Sequence, residues 1–328
     1  MQAPHTNDRP NRVNLLAIQV NCEGISNQGD KAGNDCAGLT LINHGTGRAA
    51  GSWVGYAPMN PWMFLSLIIV AIALALWIPR IRLRRAIAAP FPEEWVGMLE
   101  SNIQVYRKLP MPLRLQLRSL IKQFLHQKHF SGAAGLEITD EMRVTIAAQA
   151  CMLQLNRPGD LYPRLKYIVV YPSTFVVSRP EVTGGGVVSR SSRGMLGESW
   201  QNGKVILAWD NVLHGASNFV DGRNVVLHEF AHQLDSESGN ADGAPLLAGK
   251  SCYRSWAAAL SQEFEELQKD SRTNRRSLMD HYGATNPAEF FAVATETFFE
   301  KPRQMAKHHA ELFGVLQNYY RIDPRDWL

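Results

Sequence analysis

At 328 residues the chain has room for one or two domains, and its 45% apolar and 20% charged content describes a globular protein, which excludes collagen-like or wholly disordered classes. The net charge of +4 is carried partly by one cluster, Arg80, Arg82, Arg84 and Arg85, and no DNA-binding motif is visible, so no direct nucleic-acid binding is expected. The four cysteines, Cys22, Cys36, Cys151 and Cys252, have neither CxxC nor zinc-finger spacing and argue against a disulfide framework.

Residues 1–58 are rich in Asn, Gly, Thr and Ser and hold no sustained period of 3.6 or 2. They read as a disordered leader. Met59 and Met63 would each make a natural start, so the leader need not belong to the native product. From Trp62 to Ile78 the chain reads WMFLSLIIVAIALALWI, an uncharged run of roughly 17 residues with Trp at each end. A single transmembrane anchor is therefore expected over 59–79, touching the membrane through 62–78. The Arg cluster that follows predicts, by the positive-inside rule, an inner-membrane protein whose remaining chain faces the cytoplasm. Residues 80–92, basic and closed by Pro90 and Pro92, read as a juxtamembrane linker. Residues 93–328 are left for one folded domain.

Trp95 to Tyr106 and Leu113 to Lys128 carry amphipathic helical periodicity. Thr139 caps a further helix, with Asp140 and Glu141 in its first turn and a broad apolar face from Met142 to Leu155. Leu165 to Tyr171, Thr174 to Ser178 and Lys204 to Trp209 are β-branched and aromatic, predicting a small sheet. Val205 to Trp209 are the last of these runs, and as an edge strand they could hold an extended backbone by strand addition. Gly184, Gly185 and Gly186 read as a loop.

His228-Glu229-Phe230-Ala231-His232 is an HExxH pentad inside an apolar run. Residues four apart lie on one face of a helix, so the two imidazoles can reach one metal ion, with Glu229 beside it. Zinc lowers the pKa of a bound water to about 7, and a neighbouring carboxylate can take its proton and pass it to a leaving amine. Peptide hydrolysis is the chemistry this pattern predicts. Catalytic zinc sites use three protein ligands, so one is missing. The extended metzincin pattern would place Gly and His where Asp235 and Ser238 stand. A Glu from a later helix is the remaining common solution, and Glu289 and Glu296 are candidates, seven residues apart on one face of an apolar helix capped by Asn286. Spacing does not separate them, and Glu289 also stands where a capping-box Glu would. Glu300, next to Pro302, reads as a frayed end. Asp235 could orient a ligand imidazole or cap the next turn. Asp235 to Lys250 reads as a loop, Ser255 to Lys269 as a helix, and His308 and His309 as solvated.

The segments HEFAHQLD, DHYGATNPAEFFAVATETFFE, GLEITDEMRVTIAAQACML and YPSTFVV together resemble the M90 family of zinc peptidases, from about Phe91 to the C-terminus. The resemblance implies an α+β, gluzincin-like zinc peptidase domain with a small sheet and an HExxH helix, here preceded by a single transmembrane helix. It implies one zinc per chain held by His228, His232 and Glu289, with Glu229 as general base and acid. It also implies that Tyr282, seven residues before Glu289, stabilises the oxyanion. A peptide or protein is the implied substrate, for an aminopeptidase or an endopeptidase. The same family implies an alternative, a regulatory protein that sequesters a transcriptional repressor of the Mlc type, with the zinc site secondary.

Overall fold

The computed structural model describes residues 60–173, 181–182, 188–189 and 203–328. The expected leader, the strand at Thr174 to Ser178 and the triple-glycine loop lie outside the described residues. The described part is a mostly helical α+β protein with a small parallel sheet and one long apolar helix near its N-terminus.

Helix α1 spans Pro61–Ala88, started by Pro61 and by the Asn60 side chain, which accepts from the Trp62 N–H. At 28 residues it is about 42 Å long, and none of it is buried. Among the described residues it is the one helix long and apolar enough to cross a membrane. It continues through Pro79 and the Arg cluster, so most of the segment read as a linker over 80–92 is helical, and only residues 89–92 interrupt it. Strong helix formers fill 80–88, and the break waits for Pro90 and Pro92. Lys122 ties the end of α1 to the domain by donating to the carbonyls of Ile87 and Ala89.

Helices α2 (Glu93–Asn102), α3 (Met111–Gln127) and α4 (Asp140–Met152) follow. The first ends before Tyr106, which sits in a separate 3-10 turn. Thr139 caps α4 as its sequence predicts, accepting from the Met142 N–H. Strands β1 (His129–Gly132), β2 (Tyr167–Tyr171) and β5 (Lys204–Ala208) form a three-stranded parallel sheet in the order β1-β2-β5. Ile168 pairs with Phe130 on one side and Val205 on the other. Strands β3 (Glu181–Val182) and β4 (Val188–Ser189) form a separate antiparallel pair. Trp209, read as the end of a strand, opens helix α5 (Trp209–Ser217) instead.

The pentad lies on α6 (Val225–Asp235), which packs mainly against α8 (Pro287–Glu300). Between them run α7 (Lys250–Arg272), longer than its periodicity suggests, and a 3-10 turn at His281–Ala284. Helices α9 (Pro302–His308) and α10 (Ala310–Tyr320) close the chain. His309 is not solvated: its Nδ1 lies 2.7 Å from the Glu263 carboxylate, which holds its pKa above the ordinary value.

Candidate metal centre

Asn224 fixes the start of α6 and Phe230 its rotation. The Asn224 side chain accepts from the N–H groups of Val226 and Leu227 at 3.1 Å, a cap worth about 1 kcal/mol. Its amide donates to the Gly215 carbonyl at 3.0 Å, a contact that a Cβ at Gly215 would block at 2.8 Å from Asn224. Phe230 then points away from the histidines into an aromatic cluster, with ring centroids 4.9 Å from Tyr162 and 5.7 Å from Phe124. With Phe230 anchored in the core, helical geometry turns His228 and His232 toward α8.

On α8 the Asn286 side chain accepts from the Glu289 N–H at 3.0 Å, which makes one half of a capping box. The other half is not made, because the Glu289 carboxylate turns to the histidines. Its Oε2 lies 3.0 Å from His228 Nε2 and 3.4 Å from His232 Nε2, and the two Nε2 atoms are 3.2 Å apart. One donor atom from each residue thus lies within 4.8 Å of the others. Tetrahedral ligands at about 2.0–2.1 Å from a zinc ion stand about 3.3 Å apart, so this donor set fits such a cation.

Burial would by itself depress both imidazoles. For His228 the carboxylates of Glu296, Glu289 and Glu229 outweigh burial and hold its pKa well above the ordinary value. His232, fully buried and beside His228, is lowered to about 4 by burial despite the Glu289 hydrogen bond. Burial pushes the Glu289 carboxyl up, but the two imidazoles win and hold it far below the carboxylate range. Glu229 is buried at 2% exposure on the same helix. Tyr282, in the 3-10 turn that Asp280 caps, sets its ring centroid 5.9 Å from that of His228.

Glu296, the rival for third ligand, meets the other nitrogen of His228, with Oε1 3.5 Å from Nδ1 and 3.2 Å from the Asn224 N–H. Glu300, read as a frayed end, is 3% exposed and accepts from the N–H groups of Gly222 and Arg223 at 2.8 and 3.1 Å. Neither contact follows from the sequence, although the spacing of 289, 296 and 300 by seven and four residues marks one acidic stripe on an apolar helix. Asp235 accepts from the Gly243 N–H at 2.8 Å and so ties down the loop after α6.

A sequence profile described as glucose-regulated metallo-peptidase M90 matches residues 78–321. The chain belongs to the M90 metallopeptidase family. Among its relatives, an uncharacterised protein, slr2042, of Synechocystis is 41% identical over 236 residues, covering 72% of this chain and 86% of that protein. Mlc titration factor A of Yersinia pestis is more distant, 29% identical over 226 residues, covering 68% and 83%. The M90 match takes in α6 and α8 entire and begins where the apolar run ends, so almost all of that run lies outside it.

Proposed function

We propose that this M90 chain is a membrane-anchored zinc metallopeptidase of gluzincin type, an aminopeptidase or endopeptidase, that binds one zinc through His228, His232 and Glu289. The convergence of those three donors beside the buried Glu229 carries the reading. Zinc bound there would lower the pKa of a water and polarise the scissile carbonyl. The Glu229 carboxylate takes a proton from the attacking water as its oxygen bonds to the carbonyl carbon, and returns it to the departing amine nitrogen as the C–N bond breaks. The Tyr282 hydroxyl donates a hydrogen bond to the tetrahedral oxyanion. Glu296 keeps His228 Nδ1 engaged and so presents Nε2 to the metal. Strand β5, at the edge of the described sheet, is where an extended substrate would add as a further strand.

We assign 59–79 to a single inner-membrane anchor, with 80–92 as its basic extension and the peptidase domain, 93–328, in the cytoplasm. The 28-residue exposed helix and the Arg residues at its C-terminal end support this. The leader, 1–58, is assigned no part in the activity. A second reading, capture of a repressor of the Mlc type with zinc secondary, is favoured by the similarity to Mlc titration factor A.

Glu229→Gln separates the two. Gln keeps the shape but cannot accept the proton, so zinc content should stay near one per chain while hydrolysis of a peptide library falls by about 10²–10⁴. Partner capture would survive. If wild type cleaves nothing and both forms capture the same protein equally, the enzyme reading falls.

A further inference from the structure

Away from the metal centre, a cavity of about 620 Å³ lies between the turn after α4, the loop before α7, and α10. Ser251, Cys252, Ser255 and Asn318 are exposed at its rim, so it opens to solvent. Its size falls within the range of small-molecule sites. Leu246, Leu247, Trp256 and Val315 give it apolar walls.

Opposite charges line it. Arg157 and Glu237 both line the cavity, and no ion pair joins them among the described residues. Arg157 Nη1, Glu237 Oε1 and the Tyr319 hydroxyl oxygen are all buried without a hydrogen-bond partner there. The Arg157 guanidinium is not loose, being seated over the Tyr319 ring at 4.3 Å from its centroid. Burial pushes the Glu237 carboxyl up, against the pull of Arg157, Arg164 and Lys128. Arg157, Glu237 and Tyr319 thus bring a cation, an acid and a phenol to the lining of one apolar hollow, a set whose complement in a ligand carries both charges.

That complement has an acceptor for Arg157, a donor for Glu237 and an apolar body between them. We propose that the cavity is a binding site for a short apolar peptide with free ends, its carboxylate on Arg157, its ammonium on Glu237 and its side chains against Leu247, Trp256 and Val315. It is distinct from the metal centre. Trp256 Nε1 donates to the Gly243 carbonyl at 2.8 Å, and Gly243, at φ +81°, presses on the Pro287 backbone, where a Cβ would stand 2.4 Å from the carbonyl oxygen. That loop separates the cavity from the first turn of α8, and no donor of the metal centre lines it.

Cys252, exposed at the rim, reports occupancy without reference to hydrolysis. Full-length protein in detergent is alkylated with iodoacetamide, with and without L-leucyl-N-methyl-L-phenylalanine, whose N-methylated bond resists cleavage, and Cys252 is followed by peptide mass mapping. Saturating dipeptide should slow its alkylation at least about fivefold. Glu237→Gln and Arg157→Met should each raise the half-protecting concentration about tenfold or more, and Ser255→Trp, which fills the rim from an exposed position, should remove protection. The N-acetylated, C-amidated analogue should not protect. Equal protection by that analogue or by inorganic phosphate, unchanged protection in Glu237→Gln, or none with wild type at about 10 mM dipeptide would overturn the proposal. None of these outcomes bears on the peptidase reading, since no bond is cleaved in the assay.

Discussion

Helices α1 and α8 are the two most apolar of the described helices, and they occupy opposite surroundings. No residue of α1 is buried, whereas every residue of α8 from Ala288 to Glu300 is. The difference lies in their charges. The only charges of α1 are four arginines at one end, which leaves a stretch with nothing to satisfy except its own backbone. The three carboxylates of α8 lie deep in protein, where an unpaired charge is costly, and each has found partners: two imidazoles, an imidazole with a backbone amide, and two backbone amides. Hydropathy says that a helix must leave water. Its acids tell what it must meet instead.

The largest expected effect tests the α1 side. Full-length protein should sediment with membranes and need detergent for release, while deletion through Ile78 should move it wholly to the soluble fraction. The cut leaves Ile87 and Ala89 on Lys122, so the domain should keep its fold by circular dichroism. A reporter fused at residue 85 should behave as cytoplasmic. A soluble full-length protein, or periplasmic activity of the fusion, would break the comparison at its simpler end.

On the α8 side the carboxylates should differ in rank. Glu289→Gln should strip zinc at concentrations that saturate wild type, because it removes a direct donor. Tyr282→Phe should keep the zinc and lower kcat about 10²–10³-fold if the hydroxyl serves the oxyanion. Glu296→Gln should weaken zinc by only about 10–100-fold, the usual effect of a group that orients a ligand. Competitive zinc titration with a chromophoric chelator checks the first and third, and steady-state kinetics the second. Should Glu296 prove the more damaging of the two carboxylates, their roles are exchanged.

The same contrast shows what could be read from residues alone. HExxH was legible because both imidazoles belong to one helix, whose period is known in advance. The third donor was not, since Glu289 and Glu296 share a face and only the height at which α6 crosses α8 separates them; the M90 resemblance favoured Glu289. Strand β1, His-Phe-Ser-Gly, is too short to show alternation and owes its strand to pairing with β2. Glu300 reads as a frayed end because helix ends fray by default, whereas here α9 starts at Pro302 and the loop before α6 folds its amides onto the carboxylate. His309 likewise depended on Glu263 of α7, 46 residues away. In each case the missing information was tertiary.

The smallest effect tests whether a carboxylate of α8 without an imidazole is held differently from the other two. Burial raises the Glu300 pKa from 4.5 to about 8, against the hydrogen bonds that favour its charged form. A raised acid binds its proton more tightly folded than unfolded, so its contribution to stability is complete below about pH 4.5 and is lost as pH rises through about 8. Glu300→Gln removes that titration and keeps an acceptor oxygen for the Gly222 and Arg223 amides. Melting temperatures of the two forms should nearly coincide at pH 5. By pH 8.5 the variant should be the more stable, by on the order of a few kcal/mol, or several degrees. Asp235, raised to about 7 chiefly by burial, titrates in the same window in both forms and cancels in the difference. Parallel melting curves would mean that the two amides alone suffice to keep Glu300 ionised, and that the imidazoles are not what sets Glu289 apart.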